Sequence, residues 1–379
     1  MGPPFSSAFL LPVLAAMSAG EATAAFLREL AATSGTARRP MPELPDWASP
    51  NRVTLDLPSL RLRDFSQGAS GRPTVICAPY ALHAGTVADF APGHSLVQSL
   101  RGAGRKNLHV VEWRSATPSM RLFSTDTLLA DLNVAIDEFG EPVDLVGLCQ
   151  GGWMALLYAA RFPEKVRRLV IAGAPLDLTA GESALSQVAR RTPVSTFVEL
   201  LRLGGGRLLG QMVLGLWGPA PTPTEALERD LQLPPGDEPV PLAPLLLAPE
   251  AEALLRRFQD WYEVTVDLPG VYYLEVVEWL YKENRLAESR FVALGRRIDL
   301  AAVRLPVLLL AGADDTVVVP AQVFAIAGKL GTPAEDRAML VAPASHLGLF
   351  MGRRTLAETW PQVTAWLDRP ETPETAPAP

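Results

Sequence analysis

Cysteine and histidine are scarce in this 379-residue chain, which holds two of the former, Cys77 and Cys149, and four of the latter. Two cysteines cannot build a disulfide framework, so a reducing cytoplasm is the expected setting. With so few histidines and no Cys-x-x-Cys or His-Glu-x-x-His spacing, no metal and no other cofactor is expected. A surplus of positive charge is missing too. The net charge is −7, and no Lys/Arg cluster is interleaved with aromatics, which argues against a nucleic-acid surface. Nor is there a run long enough to cross a bilayer. Residues 1–20 carry no charge and Ala8 to Met17 is wholly apolar, yet that stretch is too short for a transmembrane segment. No basic residue precedes it, as a secretory signal would require. A helix packed on an apolar surface is the expectation there.

What is present is ordinary for a globular enzyme, 48% hydrophobic and 20% charged residues. Residues 1–70 read as an appendage: a helical segment from Glu21 to Leu30, a proline-rich link, and a short strand-like stretch from Asn51 to Phe65. Residues 71–182 and 295–368 read as the core. Apolar runs of strand length recur at Thr74–Ala78, Asn107–Glu112, Val143–Leu148, Val166–Ala172, Pro306–Gly312 and Ala338–Ala342, with helical patterns between them, the last from Leu356 to Leu367. That alternation predicts a mostly parallel sheet with helices on both faces. Residues 183–294 break the pattern with helix-like segments and a proline-rich loop from Pro219 to Pro249, the mark of an inserted helical cap. The tail, 369–379, is rich in Pro, Thr, Ala and Glu, a composition that favours disorder.

The chemistry centres on Val143 to Ala160. A short apolar strand runs into Gly147-Leu-Cys-Gln-Gly-Gly152 and then directly into a helix, the layout of a nucleophile elbow. The tip residue of such a turn is strained, and small neighbours let strand and helix pass closely. Here the tip is Cys149, at a helix N-terminus, whose partial positive charge favours a thiolate. A buried structural cysteine beside a glycine turn is the plainer alternative. A catalytic thiol also needs a base and an acid to orient it. His346, in the loop after the last strand, is the expected base. The acid is expected in Gly312-Ala-Asp-Asp-Thr316, where Asp315 is preferred and Asp314 stays open. Cys, Asp, His is the chain order of α/β-hydrolases. The oxyanion donors are expected at the amides of Gln150 and of Tyr80 or its neighbour Ala81. His83, Trp153 and Trp261 are candidate pocket residues; Cys77 reads as a core thiol.

These residues carry a resemblance. The elbow resembles the Gly-x-Cys-x-Gly-Gly box of polyhydroxyalkanoate (PHA) synthases. Ala91-Pro-Gly-His-Ser-Leu-Val97, Val111-Glu-Trp-Arg114, Asp267-Leu-Pro-Gly270, Tyr281-Lys-Glu-Asn-Arg-Leu286 and Ile298-Asp-Leu300 are similar to further segments of that family. Four places depart from it: Trp261-Tyr-Glu-Val264, Leu82-His-Ala-Gly85, Ser345 where the family has Gly before the histidine, and the Asp loop, where no Trp follows the Pro. The resemblance implies an α/β-hydrolase fold and an acyltransferase. Its substrate would be a hydroxyacyl-CoA or a PHA chain, held as an acyl-Cys149 thioester and passed to a hydroxyl. A hydrolase on the same scaffold (a PHA depolymerase, esterase or thioesterase) is the alternative, followed by a noncatalytic relative. A homodimer, a helper subunit and a PHA granule surface remain open as partners.

Overall fold

The computed structural model describes residues 43–217, 221–233 and 249–370. The expected N-terminal helix, the C-terminal tail and most of the proline-rich loop before Pro249 lie outside them. Eight strands form one sheet: β1 Arg52–Asp56, β2 Leu60–Asp64, β3 Thr74–Cys77, β4 Leu108–Trp113, β5 Val143–Leu148, β6 Val166–Ala172, β7 Val307–Gly312 and β8 Arg337–Ala342. Their order is β1-β2-β4-β3-β5-β6-β7-β8. β2 pairs antiparallel with both neighbours, and every other pairing is parallel. This is the α/β-hydrolase topology; the chain leaves β3 toward β4 and β5 toward β6 in opposite directions, so the switch point, where such sheets have their crevice, lies between β3 and β5 at the strands' carboxyl ends.

The central strands are apolar without alternation because helices cover both of their faces. Every residue of β3, β5 and β7 is buried. On one side lie α1, Leu96–Gly102, capped by Ser95, and the C-terminal helices. On the other lie α2, Thr125–Asp137, and α3, Gln150–Arg161. Ser124 caps α2, accepting from the Thr127 amide, and Leu128, Leu129, Leu132, Ala135 and Ile136 form its buried stripe. α3 is buried almost all round, as expected of the helix that follows an elbow.

At the amino ends of the strands sits a buried ion cluster. Asp144, fully buried, meets Arg105 and lies 2.6 Å from Arg167. Arg105 also donates to Thr74 Oγ1 and to Asp368, so it ties β3, β5 and the C-terminal segment together.

Two expectations need correction. The stretch from Asn51 to Phe65, assigned to the appendage before residue 71, is the β1–β2 hairpin and belongs to the main sheet, with Leu60 opposite Trp113. Its outward arginines, including Arg63 bonded to Glu112 at 2.7 Å, gave it the polar look of a linker, while Leu60 and Leu62 are buried. The expected helix from Leu356 to Leu367 is instead two, Arg353–Glu358 and Trp360–Leu367. Pro361, lacking an N–H, stands in the first turn of the second and forces the restart.

Between β6 and β7 the chain leaves the sheet. The described part of this excursion holds helices Ala184–Arg191, Val194–Leu203, Gly210–Trp217, Pro249–Glu263 and Gly270–Glu275, and two π-helical segments, Ala226–Asp230 and Val276–Lys282. Among the described residues no helix is long and apolar enough to cross a membrane.

Candidate active site

Cys149 stands between β5 and α3 with φ 48° and ψ −118°, well outside the regions open to ordinary L-residues. Such a conformation costs on the order of 1–3 kcal/mol and persists where the surroundings fix it. Its amide donates to the Ala172 carbonyl at 2.9 Å, and its own carbonyl accepts from Gly152 at 2.9 Å. The glycines are required by close approach. A Cβ on Gly147 would sit 2.5 Å from Gly152 Cα, one on Gly152 2.5 Å from Ala174 Cβ, and one on Gly151 2.6 Å from the Ala78 carbonyl oxygen. The strand and helix therefore cross at a distance that only hydrogen side chains permit.

Two loops from the far side of the crevice meet the thiol. His346 Nδ1 lies 2.7 Å from Asp315 Oδ2. The other carboxylate oxygen of Asp315 accepts the amides of Val317 and Val318 at 2.9 and 2.8 Å, which locks its orientation. Asp314 is exposed, so Asp315 is the carboxylate that meets the ring. Burial opposes charge on the imidazole. The Asp315 carboxylate and the Cys149 sulfur beside it, each also hydrogen-bonded to the ring, nevertheless hold it well above its ordinary pKa. Gly173 makes room for this arrangement: a Cβ there would come within 3.0 Å of Leu349 and 3.5 Å of His346.

The other histidines and the second thiol have different surroundings. His94 Nδ1 bonds the Met351 carbonyl at 2.8 Å, and His109 Nε2 bonds Asn107 at 2.8 Å. Cys77 is wholly buried in β3, and burial pushes its pKa up to about 12.

The amides expected as oxyanion donors come from the start of α3 and the loop after β3. The Gln150 amide is the first of α3, with no carbonyl one turn back to receive it. Among the described residues the amides of Tyr80 and Ala81 have no backbone acceptor either. The Tyr80 side chain is engaged elsewhere: its hydroxyl donates to the Arg114 carbonyl at 2.9 Å, and its ring stacks on Trp113 and Tyr272.

Two aromatic walls hold the candidate pocket residues. One contains Trp261, buried and in ring contact with His83 at 4.7 Å; His83 also stacks on Tyr262. Burial lowers the His83 pKa to about 4, so this imidazole is neutral near pH 7. Neither His83 Nδ1 nor Trp261 Nε1 has a partner among the described residues. Trp153 belongs to the opposite wall, but not as a surface that lines open space. It is fully buried behind Gln150, donating its Nε1 proton to Gln150 Oε1 at 2.6 Å. Three residues on in α3 is the same helix face as Gln150, and that face turns into the core. This corrects the expectation that Trp153 lines the pocket.

A family model described as PHB de-polymerase C-terminus matches residues 248–371. A protein from Haloferax mediterranei named poly(3-hydroxyalkanoate) polymerase subunit PhaC is 25% identical over 339 residues, covering 86% of this chain and 65% of that one. Proteins of the same name from Allochromatium vinosum and Synechocystis are 24% and 26% identical, covering 80% and 74% of this chain and 84% and 73% of theirs. The chain is similar to these poly(3-hydroxyalkanoate) polymerase subunits over most of its length. Among solved structures, a monoacylglycerol lipase from Paleococcus ferrophilus aligns at 20% identity and a TM-score of 0.49, over 81% of this chain and 98% of that one.

Sequence reasoning left two groups off the candidate site. Tyr272 and Tyr281, from the inserted segment, join the Trp153 wall: the Tyr272 hydroxyl donates to the Tyr80 carbonyl at 3.3 Å, and Tyr281 Oη accepts from Gln150 Nε2 at 3.0 Å. The signal for Tyr281 was its place at the head of a matched family segment. Ser345, which replaces the family's glycine, donates to the buried Asp230 at 2.6 Å and so fastens the histidine loop to the inserted segment.

Proposed function

We propose that this protein is an acyltransferase that loads a hydroxyacyl group from coenzyme A onto Cys149 and passes it to a hydroxyl. The observation that carries this reading is the cysteine, in place of an oxygen nucleophile, at the strained tip beside the His346–Asp315 pair. A thiol exchanges one thioester for another at little free-energy cost and so keeps the acyl group activated; a serine ester would lose that driving force. The names of the polymerase relatives support the substrate class.

The geometry supports the following mechanism. Cys149 Sγ, as the thiolate paired with the His346 imidazolium, attacks the thioester carbon and forms a C–S bond. The carbonyl oxygen takes the negative charge and is received by the amides of Gln150 and Tyr80. Collapse breaks the bond to coenzyme A, whose sulfur leaves with the proton from His346 Nε2. The now neutral imidazole takes a proton from an incoming hydroxyl as its oxygen attacks the acyl carbon. Cys149 leaves as thiolate, and the imidazolium is restored. Asp315 orients Nδ1–H and stabilises the ring's charge throughout. If the hydroxyl belongs to another hydroxyacyl unit, an ester chain grows; if it is water, the product is a free hydroxy acid.

Hydrolysis is the second reading, favoured by the depolymerase description of the model on residues 248–371 and by the departures at Trp261–Val264 and Ser345. Incubation with 3-hydroxybutyryl-CoA, beside a Cys149→Ala control, separates the two. Coenzyme A release with oligomers that vanish in the control supports transfer. Free hydroxy acid supports hydrolysis, and no release from the unmodified protein removes both readings for this substrate.

A further inference from the structure

Tyr281 is held in an unusual way for a buried phenol. Its oxygen accepts a hydrogen bond from Gln150 Nε2 at 3.0 Å, and the direction of that bond is fixed from behind. Trp153 Nε1 can only donate, and it donates to Gln150 Oε1 at 2.6 Å, so the amide nitrogen must be the end that faces Tyr281. The phenolic proton is thereby left unspent, and no acceptor for it lies among the described residues. Leaving such a donor buried and unpaired is costly, which marks it as a group with an external partner.

Its location identifies the partner. Gln150 directly follows the nucleophile, so the Trp153–Gln150–Tyr281 relay ends beside Cys149. Electrostatic coupling to Cys149 adds to the burial that raises the Tyr281 pKa, which keeps the phenol protonated and able to donate. No hydrogen bond joins it to the sulfur itself. The neighbouring Tyr272 hydroxyl is already engaged with the Tyr80 carbonyl, and the thioester carbonyl has the two backbone amides. The remaining acceptor is an oxygen further along the acyl group. Tyr281 also sits in the π-helical turn Val276–Lys282, a distortion that re-aims side chains and recurs at functional sites.

Resting on the acyl-Cys149 reading above, we propose that Tyr281 is the residue that selects hydroxyacyl over plain acyl thioesters, donating its proton to the 3-oxygen of the group on Cys149. A fixed donor suits this role. The 3-oxygen is a hydroxyl in the first unit and an ester oxygen once a chain has grown, and both accept. A site built to pair with a substrate oxygen rejects the analogue that lacks it, because its own buried donor is then stranded.

The test compares 3-hydroxybutyryl-CoA with butyryl-CoA in the full-length protein, Tyr281→Phe and Trp153→Phe, following coenzyme A release and the mass of acylated Cys149. The unmodified protein is expected to prefer the hydroxyacyl substrate by about tenfold or more in kcat/KM. Tyr281→Phe should lose about tenfold on it and stay within about twofold on butyryl-CoA, bringing the ratio near one. Trp153→Phe frees the Gln150 amide to turn its oxygen toward Tyr281 and capture the proton; the ratio should fall there too, with Tyr281 intact. Equal losses on both substrates, or an unchanged ratio in both variants, overturn the selector. Failure of both thioesters to load Cys149 in the unmodified protein overturns the acyl-Cys149 reading and the selector with it, a pattern distinct from loading without discrimination.

Discussion

Replacing Asp315 with asparagine tests the base and its orienting acid together. The change keeps the side chain's shape, removes a buried charge, and offers His346 Nδ1 an amide. In the native arrangement the carboxylate lies 2.7 Å from Nδ1, with the Asp315 side chain fully buried and 12% of the His346 side chain exposed. Unit charges about 4 Å apart interact by about 4 kcal/mol at an effective dielectric of about 20. At about 1.4 kcal/mol per decade that is roughly a thousandfold in the step that needs the imidazolium. The direction with pH follows from the sign of the shift. Asp315 and Cys149 raise the imidazole's pKa, so the protonated ring that releases coenzyme A persists to higher pH in the native protein. In Asp315→Asn its alkaline limit moves down. The same raised value makes the pair's contribution to stability full below the ring's unfolded pKa and lost as pH rises through its folded one, so the variant's deficit in thermal stability should shrink on the alkaline side. Rapid-mixing measurement of coenzyme A release across pH is the assay, with the exposed Asp314→Asn as control, expected within about twofold of native. An Asp315→Asn rate within about tenfold of native, or an alkaline limit that does not move, would refute the assignment.

Two further outcomes are expected. Asp144→Ala removes the buried carboxylate that Arg105 and Arg167 share in the sheet's amino-end cluster and should cost about 3–5 kcal/mol in urea unfolding; an unchanged midpoint would mean that this carboxylate contributes nothing. Brief treatment with iodoacetamide near pH 7 should give a single adduct, on Cys149, because Cys77 is buried with its pKa pushed up to about 12; modification of Cys77 in the folded protein, read by peptide mass, would contradict that burial.

Much of the sheet could be read from the sequence because its central strands are uninterrupted apolar runs between helical patterns, and β6 from Val166 to Ala172 has the same bounds in both. The elbow was legible for a steric reason: three glycines around one cysteine have few other uses. The edge was not. β2 alternates leucine with arginine as half-covered strands do, β1 is exposed along nearly all its length, and a proline-rich link just before them drew the boundary too late. Asp314 and Asp315 are adjacent and chemically alike, and what separates them is a turn that gives Asp315 two amides and leaves Asp314 exposed. Trp153 was placed on the right helix but assigned to the wrong surroundings, since a sequence shows which residues share a face and not which way that face turns. Tyr281 needed the hydrogen-bond directions, which no spacing rule supplies.

The histidine loop also bears on how this protein is made. The thiol and both oxyanion amides belong to elements complete by the end of β6, whereas Asp315 and His346 arrive with the last strands. Ser345 then reaches back 115 residues to Asp230 in the inserted segment. A chain emerging from the ribosome can therefore build its elbow long before it has a base. During that interval the sulfur has no partner to take up or return a proton. Docking of the C-terminal portion brings His346 and Asp315 to the elbow, so on the proposed reading a chain without its last strands would carry the nucleophile without its base.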